Sequence, residues 1–245
     1  MQSLEENGLA MTARLVDSVT GASSVKLPRE YSYKSLPLAI IDAVYSTGVL
    51  YKSTENTVER FCKSQKPAWI RYRCESGREL SISEFLKIIA PLDRVVLAES
   101  IFGNHQRTST RNGILKADAV RHCAKLLLSY GIDNFSDTAK IHENKAFDCD
   151  YCRIQGQGRD TSLAYFKMLC GNENEIKLDR HIKNFMIEYE IRDTNQLRAI
   201  AAVLQIPPRN LDYAIWQRMR NSRRSGPESK SGRLKRSDHL QCRRS

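Results

Sequence analysis

The residues from Arg153 to Phe185 combine residue types and spacing that suggest chemistry. Gly156 and Gly158 lie two apart in a segment that we expect to be a turn between two helices, and a helix begins near Thr161. Backbone amides exposed at the start of a helix form a ready binding site for an anion such as a phosphate. Glycines in such a turn also serve backbone freedom alone, so the pair by itself leaves both interpretations open.

Asp179 comes after this turn and its following helix, and it is followed directly by Arg180 and His181. We expect it at the start of a helix, where the helix dipole keeps a carboxylate ionised and oriented. A carboxylate in that state suits the stabilisation of positive charge that develops at a reacting sugar carbon. The alternative is a structural N-cap with Lys177 before it, a common role of aspartate.

Helical periodicity dominates the sequence and alternating strand patterns are nearly absent, so we predict an all-α fold of about nine or ten helices. Ser81 and Glu84 have the spacing of a reciprocal capping box, and Gly131 stands where a helix from residue 116 should end. The predicted helices are two within 36–61, joined near 46–48, and one each over 82–89, 93–102, 116–130, 161–170, 179–190, 194–204 and 208–220.

By composition the chain divides into a polar, loose N-terminal lead-in, residues 1–29, an all-α domain, residues 30–217, and a basic tail, residues 218–245. The tail holds ten Lys or Arg residues against two acidic ones, which is most of the chain's net charge of +11. It has too few apolar residues to offset the entropy of ordering, so we expect disorder. Such a tail would strengthen nucleic-acid binding through counterion release. A solvated tail that aids solubility or contacts another anionic surface is the alternative.

Other classes of protein find little support. No run reaches the roughly 18 apolar residues of a membrane span, and the first residues, with Glu5 and Glu6, lack the pattern of a cleaved signal. Seven cysteines fit reduced thiols in a cytoplasm. Cys149 and Cys152 form a single CxxC without a second pair, which favours thiols over a metal site. Motifs of nucleotide cofactors and of serine or zinc hydrolases are missing, so we expect no metal and no cofactor.

The hairpin and Asp179 together resemble the helix-hairpin-helix DNA glycosylases of the endonuclease III superfamily. That family's hairpin reads L-P-G-x-G-x-x-T-A, where residues 154–162 here read IQGQGRDTS. Its aspartate lies in a V-D-x-H-x-x-R context, where residues 178–181 here read LDRH. Residues 36–61 look like the family's first helices, and residues 112–131 look like its G-x-x-x-x-K-A stretch. The resemblance covers roughly residues 30 to 190.

This resemblance implies a two-lobed helical bundle whose partner is double-stranded DNA with a damaged or modified base. It also implies that the base is flipped out of the duplex and that its N-glycosidic bond is hydrolysed. Asp179 would be the catalytic carboxylate. The residues that would hold phosphates are Gly156, Gln157, Gly158, Arg159, Thr161, Lys183, Arg107 and Arg111.

Three departures from the family pattern shape the expected activity. Asp160 stands where members that also cleave the backbone carry a Schiff-base lysine, so the resemblance implies a monofunctional enzyme. Only Cys242 follows Cys170, so the family's four-cysteine iron–sulfur cluster is not expected. Gln155 replaces the usual hairpin proline, which leaves the rigidity of the turn in question.

A flipped base needs a pocket and a wedge that fills the vacated stack. Tyr45 lies at the position that matches the family's gap-filling residue, and core packing is its alternative role. The polar loop 103–113 supplies Asn104 and His105 as candidates for contacts with the base edge, and a solvated loop is the alternative.

The sequence therefore predicts a monomeric, cytoplasmic, monofunctional DNA glycosylase, associated with the nucleoid in a bacterium. A non-catalytic helix-hairpin-helix DNA-binding protein is the first alternative. A protein-interaction subunit whose tail contacts nucleic acid is the second. The sequence leaves open which base is removed, and whether the target is damage or a modification of foreign DNA.

Overall fold

The computed structural model describes residues 2–65, 71–158 and 160–222. The extended regular elements in these ranges are all helices, which confirms the predicted all-α fold. Short 3-10 helices span Ala22–Ser24, Arg29–Ser32 and Phe135–Ile141, and a π-helical turn spans Leu97–Ile101. The α-helices are α1 (Gln2–Thr20), α2 (Leu36–Tyr45), α3 (Tyr51–Ser64), α4 (Ile82–Ile89), α5 (Arg94–Val96), α6 (Lys116–Ser129), α7 (Lys145–Arg153), α8 (Asp160–Leu169), α9 (Arg180–Glu188), α10 (Thr194–Val203) and α11 (Pro208–Ser222). None of the described helices is long and apolar enough to cross a membrane.

Local signals in the sequence position several of these helices. The Ser81 hydroxyl accepts the Glu84 backbone N–H at 3.2 Å, and the Glu84 carboxylate accepts the Ser81 N–H at 3.1 Å. The predicted capping box at the start of α4 is therefore confirmed. Gly131 follows α6 with a φ of +67°, as expected of a glycine that ends a helix. Gly48, which has a φ of +71°, lies in the predicted turn between α2 and α3.

Two helices lie in segments without a helix prediction. α1 occupies most of the predicted loose lead-in, and its Ala13 and Val16 are fully buried against α10 and α11. Its buried apolar positions share one face, while Met11 and Leu15 are exposed, so packing of that face stabilises a segment whose composition is polar. α7 immediately precedes the glycine pair. The Asn144 side chain caps it by accepting the Phe147 N–H at 3.1 Å.

The buried apolar residues form two separate cores. The first core lies within residues 33–170 and has α2 at its centre, with all ten residues of that helix buried between α3, α6 and α8. The second core combines α1 with α9, α10 and α11. Residues 171–179 connect the two cores, so Asp179 lies at their junction. We call this region the interlobe junction.

The last described helix extends into the predicted basic tail. Arg218 and Arg220, which composition assigns to the tail, belong to α11, which continues to Ser222. The Arg220 guanidinium lies 4.9 Å from the centre of the Trp216 ring, and this cation–π contact helps to order the end of the helix. Residues 223–245, on which the rest of the tail prediction falls, lie outside the described residues, as does Arg159.

Candidate functional site

The glycine pair lies in a tight turn between α7 and α8, as predicted. Gly156 has a φ of +91°, and a Cβ at this position would lie 2.1 Å from the Cβ of Thr108. Both the backbone conformation and the close approach therefore require glycine. The Gln157 N–H donates to the Ile154 carbonyl at 2.8 Å and closes the turn.

The same turn is attached to the polar loop 103–113. The Gln155 side-chain amide donates to the Asn112 carbonyl at 2.5 Å, and Gly156 packs on Thr108. Gln155 thus ties the turn to the loop at the position where the related family carries proline. We call the surface formed by residues 154–158 and 103–113 the hairpin face.

The loop of the hairpin face carries exposed basic side chains. The Arg107 Nε donates to the Gly113 carbonyl at 2.8 Å, which holds this exposed side chain in place, and Arg111 and His105 are also exposed. Lys183 is exposed on α9. The structure therefore brings the predicted arginines Arg107 and Arg111 to the hairpin, although they lie more than 40 positions before it in the sequence.

The predicted DNA contact of Gln157 is wrong. This residue is only 1% exposed, and its side-chain oxygen accepts a hydrogen bond from the Ser162 hydroxyl. Its backbone N–H is occupied within the turn. Gln157 therefore stabilises the hairpin from the inside.

The predicted wedge and one predicted pocket residue are also wrong. Tyr45 is fully buried, its ring centre lies 5.5 Å from that of Phe102, and core packing is its role. Asn104 is 8% exposed; its amide donates to Thr57 Oγ1 at 2.9 Å and its side-chain oxygen accepts the Gln106 N–H at 2.9 Å. Both side chains are enclosed and hydrogen-bonded within the first core, so neither can reach a base.

The turn after Tyr45 presents a different residue. Leu50 is 85% exposed at the start of α3, which is unusual for a large apolar side chain. Lys116 holds this turn in place through three hydrogen bonds. Its Nζ donates to the carbonyl of Tyr45 at 3.0 Å, to the carbonyl of Thr47 at 2.8 Å and to Gln106 Oε1 at 3.2 Å. Burial lowers the pKa of Lys116 to about 8. Because Gln106 belongs to the loop 103–113, the turn that carries Leu50 borders the hairpin face.

Asp179 is the N-cap of α9. Its Oδ1 accepts the backbone N–H groups of His181 at 2.7 Å and Ile182 at 3.1 Å. Its Oδ2 lies 3.8 Å from Lys177 Nζ, and the side chain is 19% exposed. Thr161 Oγ1 donates to the Leu178 carbonyl at 3.4 Å and so joins α8 to the residue before Asp179. One oxygen of Asp179 is fixed by the helix, and the other faces a cation at the interlobe junction.

Lys177 links Asp179 to its surroundings. Its Nζ lies 4.2 Å from the centre of the Tyr165 ring, and its backbone N–H donates to Asp212 Oδ1 at 2.8 Å. Asp212 on α11 is buried, and burial raises its pKa to about 7, an effect that the charge of Lys177 opposes and that of Asp179 reinforces. Two carboxyl groups with different environments therefore flank one lysine.

A buried carboxyl group lies behind Tyr165. Asp42 on α2 is fully buried, and its Oδ2 accepts the hydroxyls of Tyr33 at 2.7 Å and Tyr51 at 2.9 Å, while Oδ1 accepts that of Tyr165 at 3.2 Å. We call these four residues the tyrosine cluster. Burial raises the pKa of Asp42, although the three phenols and Lys177 act in the opposite direction.

Aromatic rings continue from this cluster across the interlobe junction. Tyr31 contacts Tyr165 edge-on at 6.5 Å and Tyr213 at 6.3 Å, measured between ring centres. Tyr213 stacks on Trp216 at 5.9 Å, and Trp216 meets the ring of His181 at 6.4 Å. Tyr31, Tyr213 and Trp216 are half-buried, so each keeps some solvent-exposed surface. No spacing signal in the sequence indicates this series, because its members come from distant segments.

The junction also contains a cavity of about 680 Å³ between α7, α8 and α10. Lys167 and Asp148 form an ion pair of 2.6 Å in its wall, and Lys167 Nζ also donates to the His142 carbonyl at 3.1 Å. Cys149 and Cys152 line the same cavity. Among the described residues, no three His, Cys, Asp or Glu side chains are grouped so that they could hold a metal ion.

Comparison with models of protein families gives a match over most of the chain. The model of a family described as a domain of unknown function, DUF8548, matches residues 10–220. No curated protein and no solved structure matches the chain.

Proposed function

Since this chain belongs to the family of the domain of unknown function DUF8548, a description that names no reaction, we propose from its residues that it is a DNA glycosylase of the helix-hairpin-helix type. The observation that carries the proposal is the state of Asp179. One of its oxygens caps α9, and the other faces Lys177 beside a series of half-buried aromatic rings. This arrangement follows a glycine turn of the spacing found in that superfamily.

The hairpin face would bind the phosphates of double-stranded DNA. Gly156 and Gly158 are exposed in the turn, where no side chain stands between the backbone and a phosphate oxygen. Arg107, Arg111 and Lys183 would add electrostatic attraction without reading sequence.

Leu50 replaces Tyr45 as the proposed wedge. Proteins that unstack a base pair often insert an apolar side chain, and an 85% exposed leucine beside the hairpin face has the required position. Leu50→Ala should lower the excision rate about tenfold with little change in thermal stability, because the side chain has few contacts to lose. Equal excision rates in the two proteins would remove Leu50 from this role.

The flipped base would enter the interlobe junction and stack against the rings of Tyr31, Tyr213 and Trp216. As the bond from C1′ to the base nitrogen breaks, Asp179 would stabilise the positive charge that develops on the sugar, and water would complete the hydrolysis. Asp160 at the lysine position of the hairpin supports a monofunctional activity. Failure of borohydride to trap the protein on DNA would agree with this, and a trapped adduct would contradict it.

The direct test uses the full chain and a panel of duplexes, each with one damaged or modified base. Alkali converts abasic sites into strand breaks, so a monofunctional glycosylase gives cleavage only after alkali. Asp179→Asn should abolish this product while DNA binding persists, since asparagine is also a good N-cap. Asp193→Asn is the matched control, because Asp193 caps α10 by accepting the Gln196 N–H at 2.9 Å and is exposed.

A different result would favour the alternative function. Tight DNA binding with no abasic product in the whole panel, unaffected by Asp179→Asn, would identify a DNA-binding protein that has the hairpin without the reaction.

A further inference from the structure

The proposed function leaves the tyrosine cluster without a role. Three phenols bind the carboxyl group of Asp42, but they differ in exposure. Tyr33 is 1% exposed and Tyr165 is 7% exposed, whereas Tyr51 is half-buried. Tyr51 therefore exposes more of its surface than the other two tyrosines of the cluster do.

The cluster is connected to Asp179 by a chain of contacts. Asp42 accepts the Tyr165 hydroxyl, the Tyr165 ring lies under Lys177 Nζ, and that nitrogen pairs with Asp179. The two carboxyl groups thus belong to one region of the interlobe junction, although Asp42 lies on α2 and Asp179 at the start of α9.

Asp42 has the surroundings of a proton store. The groups that face it are the phenols of Tyr33, Tyr51 and Tyr165 and the cation of Lys177, and Glu30 shares the Tyr51 hydroxyl. Complete burial is the largest influence and raises the pKa of Asp42. Three hydroxyls that can reverse their donor direction accommodate either protonation state.

We propose that Tyr51 is the catalytic acid that protonates the leaving base, and that Asp42 is the positioning residue that supplies its proton. This inference rests on the proposed glycosylase function. The acid and the stabilising carboxylate would then be two separate groups, as they are in glycoside hydrolysis by a pair of carboxyl groups.

The proton transfers balance as follows. When the C1′–N bond breaks, its electron pair moves to the base nitrogen, which takes the hydroxyl proton of Tyr51. The Asp42 carboxyl proton passes to the Tyr51 oxygen at the same time, and Asp42 becomes a carboxylate that Tyr33 and Tyr165 continue to hydrogen-bond. Water adds its hydroxyl group to C1′ beside Asp179 and releases a proton to solvent. Solvent later returns a proton to Asp42 through Tyr51.

This device fits one class of substrate. A neutral purine must gain a proton as it leaves, whereas a purine alkylated at N7 already carries positive charge and leaves without an acid. General acid catalysis typically contributes about 10²- to 10⁴-fold, so the difference between the two classes is measurable.

The experiment compares single-turnover excision from two kinds of duplex. One kind carries a neutral purine, namely hypoxanthine, 8-oxoguanine or N6-methyladenine, and the other carries 7-methylguanine. Tyr51→Phe should slow excision of the neutral base about 100-fold and that of 7-methylguanine at most threefold. Tyr33→Phe is the matched control, because it removes a phenol from the same Asp42 oxygen but not the exposed one. It should change the two rates by the same factor.

A pH profile separates proton supply from a structural role. The rate on the neutral base should fall as pH rises through the raised pKa of Asp42, because the carboxyl form is the active one. In Asp42→Asn this fall in rate with rising pH should disappear, and only excision of the neutral base should become slower.

Other outcomes would contradict the proton relay, by which we mean the proposed transfer from Asp42 through Tyr51 to the leaving base. Equal slowing of both duplexes by Tyr51→Phe, or excision of 7-methylguanine alone by the unaltered chain, would exclude it and leave the glycosylase standing. If the unaltered chain excises none of these purines, the proton relay fails, and the wider panel of damaged and modified bases decides the proposed function separately. If Asp42→Asn does not fold, the contrast between Tyr51→Phe and Tyr33→Phe decides.

Discussion

The interlobe junction contains two lysine–aspartate pairs that differ in what they leave available. Lys167 and Asp148 are 2.6 Å apart, and the Lys167 side chain is 4% exposed with a second acceptor at the His142 carbonyl. Lys177 and Asp179 are 3.8 Å apart, and each side chain is about one-fifth exposed. We call the first pair closed, because it is short and its lysine is buried although the Asp148 side chain is 32% exposed, and the second pair open, because its two charged groups are further apart.

The cavity adjoins the proposed site, because Thr161 and Leu178 line it and Leu178 directly precedes Asp179. The cavity of about 680 Å³ has the closed pair in its wall, and its Arg198 is held by the Asn174 carbonyl and by Thr194 and Asn195. These groups satisfy one another. Around Asp179, by contrast, the contacts are looser and the nearby rings are half-buried.

The largest expected effect is on catalysis by the open pair. Asp179→Asn should lower excision by 100-fold or more with nearly unchanged stability, because the amide keeps the cap and loses the charge. Asp148→Asn should leave the excision rate within about threefold. Single-turnover rates and circular-dichroism melting of both variants measure the two effects. Comparable losses of excision in both variants would show that the two lysine–aspartate pairs do not differ in their contribution to catalysis.

The next effect concerns stability. Lys167→Met should destabilise the protein by about 2–4 kcal/mol, because it leaves Asp148 and the His142 carbonyl without their buried partner. Lys177→Met should cost less than about 1 kcal/mol, since partly exposed pairs contribute little. Urea unfolding measures both differences, and a larger cost at Lys177 would reverse the assignment of closed and open pairs.

The smallest effect is the pH dependence introduced by Asp212. Burial raises its pKa in the folded chain to about 7 from the ordinary value of 3.8, so the folded chain retains a proton that the unfolded chain has released. The free energy of unfolding should therefore fall as pH rises from about 4 to about 7 and then level off. Asp212→Asn should remove this fall in the free energy of unfolding and stabilise the protein at pH 8 by on the order of 2 kcal/mol.

Asp179 provides a check on this pH dependence. Its charge contributes to the raised pKa of Asp212. In Asp179→Asn the pKa of Asp212 should therefore be lower, and the fall in the free energy of unfolding should end at a lower pH. Chemical unfolding at intervals between pH 4 and pH 8 follows the shift, and a fall that ends at the same pH would show that the two carboxyl groups are not coupled.

Local signals made much of the fold predictable. The Ser81–Glu84 capping box, the glycine after α6 and the N-cap position of Asp179 each depend on residues within a few positions of one another. Such signals act through short-range hydrogen bonds and backbone conformation, which sequence spacing records directly. α1 escaped prediction because its stability comes from packing on helices far along the chain.

The candidate site was less predictable for the same reason. Tyr45 and Leu50 belong to the same turn region, and only the fold decides which is buried and which is exposed. Around Asp42 of α2, the tyrosine cluster joins Tyr33, which precedes α2, with Tyr51 of α3 and Tyr165 of α8, at sequence separations of up to 123 positions. A pattern of spacing carries no information about which distant phenols will meet one carboxyl group.

The make-up of the second core has a consequence for folding order. α1 packs against α10 and α11, while the whole first core lies between them in sequence. During synthesis α1 must wait with its apolar face uncovered until α9 to α11 have emerged. The second core, to which the helix capped by Asp179 belongs, is thus completed last, and it includes a segment, α1, that contains none of the candidate site residues. A substitution at Ala13 or Val16 would therefore lower activity indirectly, because it would impair assembly of the second core, although both residues lie near the opposite end of the described chain from α9.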